Sequence, residues 1–239
     1  MNDFRLLAAP VAAMDPTAGF GLDPHFAATL GQLLATCRAA GYDFRVANGL
    51  RTPQVQAEYY CKWRGHSPAM MDAQAKRLSD KKAPWLAALL LHYRDISRSN
   101  AKLTDQLPGS GWHQWGLAAD AYCYRNGTMV EDGDDPCYKA SAEEATRLGL
   151  TAGFYFRCKD SGHVQAPSAD GASDVYTWSY IDDTMKQRFG GADIGNAHGL
   201  VDRSRLHSRD RRSSRASGVA PRRIGRGLRR HRHQPDLCV

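Results

Sequence analysis

Two short segments carry most of the chemistry this sequence offers. His113 and Asp120 stand seven residues apart in Gly111-Trp112-His113-Gln114-Trp115-Gly116-Leu117-Ala118-Ala119-Asp120, and His163 follows downstream in Asp160-Ser161-Gly162-His163-Val164-Gln165. Two imidazoles and a carboxylate are the protein ligands of an open, catalytic zinc site, in which the fourth position stays available to water. Asp160, three residues before the second histidine, is a carboxylate placed to take a proton from that water. Such a set points to hydrolysis.

The ligands need elements that turn sharply. Ala118 to Tyr124 reads as a strand, where seven-residue spacing puts two side chains on opposite faces, so a bend or bulge near Gly116 must bring His113 and Asp120 together. Ser161-Gly162 must likewise turn, with Asp160 at the loop end and His163 on a short strand, 163–165. Asn126-Gly127 predicts a two-residue hairpin from Tyr124 into a return strand at 129–131, because both positions tolerate the positive φ of a type I′ turn.

Helix signals surround these strands. Asp23-Pro24 and Thr52-Pro53 each combine an N-cap with proline at the first helical position. The first helix is supported by Phe26, Leu30, Leu33, Leu34 and Cys37 at helical spacing up to Gly41; the second runs to about Arg64. Tyr42 to Leu50, between them, alternates as a strand. Further helices are predicted over 68–78, 84–96 and 181–189, and Ser141 with Glu144 forms a capping box for a helix over 142–148. Phe154-Tyr155-Phe156 reads as a short strand. Helices segregated from short hairpin strands imply an α+β domain: a small antiparallel sheet carrying the metal site, packed by several helices.

The chain has 239 residues and a net charge of +7, unevenly spread. Residues 196–239 hold twelve Arg, no Lys and three Asp, a balance of +9 that leaves −2 for the rest. This segment lacks aromatic residues and the apolar content to offset its conformational entropy, and is predicted to be disordered. Three readings of it stand: an accidental extension, a basic arm for anionic envelope polymers, or a nucleic-acid-binding tail, with no specific nucleic acid expected. Residues 1–22 read as a lead-in, 23–195 as the folded domain and about 67–105 as a helical insertion.

None of the six cysteines forms a CxxC pair, which excludes zinc ribbons and thioredoxin-like motifs. A Cys123–Cys137 disulfide is compatible with the hairpin, and reduced thiols are the default. No apolar run is long enough to span a membrane, and the first sixteen residues lack the pattern of a signal peptide. His66, His92 and His198 fall in no ligand-like spacing and are read as surface residues.

The combination HxxGxAxD followed by DxxHxQ resembles the zinc peptidases of bacterial cell-wall peptide. That family comprises D-alanyl-D-alanine carboxypeptidases and L-alanyl-D-glutamate endopeptidases, including phage endolysins. His113, Gly116, Ala118, Asp120, Asp160 and His163 match its motif SxHxxGxAxD and the later acidic-xx-His pair in place, whereas Gly111 stands where the family has serine. Asn48-Gly49-Leu50-Arg51-Thr52-Pro53-Gln54-Val55-Gln56 is similar to its strand-to-helix segment. The likeness covers about residues 25–190.

The resemblance implies a Hedgehog/DD-peptidase-like fold with one Zn2+ held by His113, Asp120 and His163. It further implies Asp160 as general acid/base and Arg51 as the cation that steadies the oxyanion or grips a substrate carboxylate. Gln165, Gln56, Trp112 and Trp115 are candidates for substrate contact, with one tryptophan expected in the core and Gln165 expected to orient a ligand. Aspartate rather than glutamate at 160 favours the endopeptidase side. The expected protein is then a monomeric lysin of the stem peptide, held in the cytoplasm until released to the wall. A D-alanyl-D-alanine carboxypeptidase and a non-catalytic wall-binding module are the alternatives.

Overall fold

The Asp-Pro signal starts α1 (Pro24–Ala39), where the Asp23 carboxylate accepts from the amides of His25 and Phe26. All five apolar positions of its predicted stripe are buried. The chain is a computed structural model, which describes residues 15–100 and 103–191. The first fourteen residues lie outside the described residues. So does the Arg-rich segment 196–239, with His198, His231, His233 and Cys238.

After the left-handed Gly41 (φ 88°) come β1 (Asp43–Asn48), α2 (Pro53–Lys62), α3 (Pro68–Asp80) and α4 (Pro84–His92). Thr52 and Ser67 cap α2 and α3 through side-chain oxygens, but Ala83 offers α4 no such cap. The buried Asp182 replaces it from a distant helix, accepting from Trp85 N at 3.3 Å and Leu86 N at 2.8 Å. This satisfies orphan donors that would otherwise be buried unpaired.

Next are β2 (Ala118–Arg125) and β3 (Thr128–Met129), joined by the predicted hairpin with Asn126 and Gly127 at φ 53° and 80°. α5 (Pro136–Arg147), β4 (Thr151–Ala152), β5 (His163–Gln165) and α6 (Trp178–Phe189) complete the order. The fold is α+β, with five antiparallel strands in the order β1-β2-β5-β4 and β3 appended to β2.

Three expectations need correction. The N-cap of α5, Asp135, lies six residues before Ser141 of the expected capping box, because Asp135-Pro136 repeats the Asp-Pro start of α1 and Asp135 accepts from Cys137 N. Ser141 is therefore mid-helix and buried, and Glu144 pairs with Arg147. Phe154 to Phe156 is no strand; Gly153–Tyr155 is a 3-10 turn, in which Gly153 O accepts from both Phe156 N and Asp160 N. His66 is buried, not at the surface: its Nδ1 lies 2.7 Å from Tyr60 O and its ring packs on Tyr60 and Trp63. Cys37, Cys61, Cys123 and Cys137 are free thiols, which agrees for these four with the reduced default, and the Cys123–Cys137 bridge is not formed.

The sheet has two unlike faces. Ala119, Ala121 and Cys123 of β2, Phe44 of β1 and Val164 of β5 pack against α1 and α5 in one core. A second core joins α2, α3, α4 and α6 with Trp112 and Ala118, so the 67–105 helices bury Met71, Leu78, Leu86 and Leu90 there. Strand alternation turns the intervening residues of β2 and β5, among them Asp120, Tyr122, His163 and Gln165, to the other face. The chemistry collects on that face.

Candidate metal centre

Asp120 and His163 reach the same point because they are register partners across β2 and β5. His113 arrives differently. It sits on a 3-10 turn, Trp112–Trp115, ended by Gly116 in the left-handed region at φ 77°. A Cβ at Gly116 would also lie 3.1 Å from Asp23 N and Gly21 O. Glycine is thus required there both for φ and for room. The turn makes the reversal that the seven-residue spacing demands, and Arg51 N to His113 O, 3.1 Å, ties it to the segment after β1.

Among the described residues, ligand atoms of His113, Asp120 and His163 lie within 4.8 Å of one another. Asp120 Oδ1 is 3.3 Å from His113 Nε2 and 3.3 Å from His163 Nδ1. Metal–ligand bonds of about 2.0–2.1 Å give a tetrahedron with edges of roughly 3.3 Å, which these two separations match.

The surroundings choose the ligating atoms. His113 Nδ1 lies 2.8 Å from Gly49 O, an acceptor that takes its N–H and leaves Nε2 with a lone pair. His163 Nε2 lies 2.9 Å from Gln165 Oε1, which does the same for Nδ1. Gln165 is itself fixed by donating to Pro167 O and Ala169 O, each at 2.9 Å. Asn48 Nδ2 donates to Asp120 Oδ2 at 3.1 Å, leaving Oδ1 between the imidazoles. Partners of this kind set tautomer and orientation in metal sites.

Asn48 is a residue that sequence reading missed. By simple alternation it follows Val46 to the core face, but a bulge between Val46 and Asn48 makes Asn48 the partner of Asp120. The extra residue flips it to the site.

Charges are arranged around this centre. Arg51 Nη2 lies 3.8 Å from Asp120 Oδ2, its Nη1 donates to Gln56 Oε1 at 3.1 Å, and its guanidinium lies over the Tyr59 ring. Gln56 is 1% exposed, and its amide donates to Thr104 Oγ1 and Gln106 O, each at 2.7 Å. It therefore holds Arg51 from below.

Burial pushes the Asp120 carboxyl up, but hydrogen bonds and charge from His113 and His163 outweigh it and hold the group far below the ordinary carboxylate range. Burial lowers the His163 imidazole, yet Asp120 raises it on balance. Asp160 is exposed over its surface as a whole. Its carboxyl nonetheless lies raised, first by desolvation and then by the charge of Asp120, with His163, His113 and Arg51 opposing. Tyr122, pushed up to about 12 by burial and by Asp120 and Asp160, shares that field.

The tryptophans lie elsewhere. Trp112 is 4% exposed in the second core and donates its indole N–H to Ala169 O at 2.7 Å. Trp115 is half-buried, donates to Gly109 O at 3.0 Å and stacks on Tyr176 and Tyr180. At Gly111 a Cβ would lie 3.0 Å from Gln114 Nε2, a buried donor with no hydrogen-bond partner. Ser110, one position off, bonds instead to Gln106 and Ser173. No helix among the described residues is long and apolar enough to cross a membrane.

No curated protein matches the chain. Solved structures that the chain matches include a zinc complex of the vancomycin-resistance D,D-pentapeptidase VanY from a VanB-type cassette, at 20% identity over 60% of this chain and 71% of that one, TM-score 0.36. The Serratia marcescens L-Ala D-Glu endopeptidase ChiX is 16% identical over 64% of this chain and 86% of that one, TM-score 0.34. The LD-carboxypeptidase LdcB is 13% identical over 71% and 68%, TM-score 0.36. The family model VanY, D-alanyl-D-alanine carboxypeptidase, matches residues 20–167, more than half the chain. The chain belongs to that family of peptidoglycan peptidases.

Proposed function

We propose that this peptidoglycan peptidase uses one zinc ion, held by His113 Nε2, Asp120 Oδ1 and His163 Nδ1, to cut the L-alanyl-D-glutamate bond of the stem peptide as a phage-type wall lysin. The observation that carries the zinc reading is the pair of 3.3 Å separations around Asp120 Oδ1, with both imidazoles committed to acceptors at their other nitrogens. Residues 23–195 are the proposed catalytic domain.

When bound, zinc supplies a Lewis acid and makes hydroxide available near neutrality. The protein supplies the rest. Asp160 accepts a proton from the attacking water and delivers it to the departing amine, a role worth typically about 10²- to 10⁴-fold. Its raised carboxyl suits both halves of that exchange. Arg51, braced by Gln56, faces the charge that develops on the scissile carbonyl oxygen or grips a substrate carboxylate. Gln165 and Asn48 keep the ligands oriented.

The bond assignment rests on aspartate, not glutamate, at 160. A second reading, removal of a terminal D-alanine, is favoured by the description of the family model. Mass spectrometry of muropeptides digested by the zinc-loaded protein separates them: a new glutamate amino terminus supports the endopeptidase, loss of terminal alanine the carboxypeptidase. A wall bound but left uncut would overturn both in favour of a binding module. The Arg-rich segment 196–239 is proposed to hold the monomeric enzyme on anionic envelope polymers after its release from the cytoplasm. Truncation after Gly195 that left wall binding unchanged would remove that part.

A further inference from the structure

Asp160, whose carboxyl feels the charges of Asp120, His163 and His113, stands on a turn held by four hydrogen bonds. Asp160 N donates to Gly153 O at 2.9 Å, His163 N to Asp160 O at 3.0 Å, and Ala121 N to Gly162 O at 2.8 Å. Ser161 Oγ donates to Gly133 O at 2.7 Å. Two glycines mark where nothing else fits. A Cβ at Gly153 would lie 2.5 Å from Asp160 O and 2.8 Å from His163 Cβ. A Cβ at Gly162 would lie 2.6 and 2.9 Å from Cε1 and Cδ1 of Tyr122. The Tyr122 ring therefore rests directly on the backbone of Gly162.

Tyr122 is two residues beyond Asp120 on β2 and shares its face of the sheet. One rigid strand thus carries a candidate metal ligand and, next to it, a flat ring that supports the turn bearing the candidate base. The Ala121 N–Gly162 O bond ties one side of Gly162 to β2, and the Tyr122 ring fills the side where a Cβ would stand.

We propose that Tyr122 is a positioning residue: its ring, seated on Gly162, sets the height of the Asp160 carboxylate relative to His113, Asp120 and His163. This rests on the reading of Asp160 as the proton carrier. The hydroxyl is not needed for it. Displacement of a catalytic group by about 1 Å costs on the order of a hundredfold in rate, so the ring is expected to act on kcat and leave KM and zinc content alone.

The test is a double-mutant cycle on the full chain, read on purified peptidoglycan with zinc stoichiometry measured for each variant. Tyr122→Ala lowers kcat by roughly tenfold to a hundredfold, and Tyr122→Phe, which keeps the ring, restores it. Gly162→Ala is damaging beside tyrosine, where the new Cβ meets the ring, and much less so in the Tyr122→Ala background, where space has opened. The same cycle read as Tm needs no activity, and shows the same coupling even if zinc-loaded wild type proves unable to cut the wall. Wild-type kcat in Tyr122→Ala, or a Gly162→Ala cost equal in both backgrounds by rate and by Tm, overturns the inference.

Discussion

Asp120 and His163 face each other in the antiparallel β2–β5 ladder, with Asp120 Oδ1 3.3 Å from His163 Nδ1. The candidate centre is thereby a property of strand register: a slip of one residue would send one of the two to the α1–α5 core. It also makes the pair a linked titration.

In the metal-free protein His163 titrates above its ordinary value of about 6.5 and Asp120 below its ordinary value of about 3.9. The His163 contribution to stability is fully present below about pH 6.5 and is lost as pH rises through the raised folded value. That of Asp120 is present above about pH 3.9 and lost only on acidification. Between about pH 6 and 8 the histidine is the member of this pair whose contribution falls, so the pair makes metal-free protein melt lower at the alkaline end. Zinc replaces that proton and binds more tightly as pH rises. Thermal melts with and without EDTA should show a Tm gap that widens from pH 6 to pH 8; a gap that narrows contradicts the ligand assignment.

Arg51 is expected to act on the transition state and not on the metal. Arg51→Ala should retain zinc and lose about 10²- to 10³-fold in kcat. Gln56→Ala, which removes the brace at 3.1 Å together with the bonds to Thr104 and Gln106, should lose less in kcat, and nothing further in kcat when added to Arg51→Ala. Steady-state kinetics with zinc analysis checks this, and additive losses would show that Gln56 works independently.

Much of this was legible in sequence. The Asp-Pro and Thr-Pro starts, the Asn-Gly hairpin and the burial of all five α1 stripe residues depend on local chemistry, which spacing reports directly. The need for a reversal at Gly116 followed from strand parity alone, though its form, a 3-10 turn, did not. Asn48 was hidden because a bulge breaks the parity that sequence reading relies on. Ser141–Glu144 misled because a stronger start six residues earlier swallowed it. Tyr122 was hidden because its partner, the backbone of Gly162, lies forty residues away on the turn before β5.

Gly111 stands where the resembling family has serine, and the space beside it holds the unpaired Gln114 Nε2 donor, while Gln114 Oε1 accepts from Gly109 N at 2.6 Å. Gly111→Ala crowds that amide without satisfying it, whereas Gly111→Ser adds an acceptor. The serine variant should be the more stable of the two by about 1 kcal/mol. Chemical denaturation with matched m-values measures the difference, and equal stability would show that the donor has a partner in solution.

The most direct test of the central claim is the rate at which zinc-loaded wild type and zinc-loaded Asp160→Ala release new termini from purified peptidoglycan, with His113→Ala as the metal-binding control. The division of labour predicts that Asp160→Ala binds one zinc per chain yet loses about 10²- to 10⁴-fold in rate, while His113→Ala loses both metal and hydrolysis. Hydrolysis by Asp160→Ala at the wild-type rate, or full zinc occupancy in His113→Ala, would contradict it.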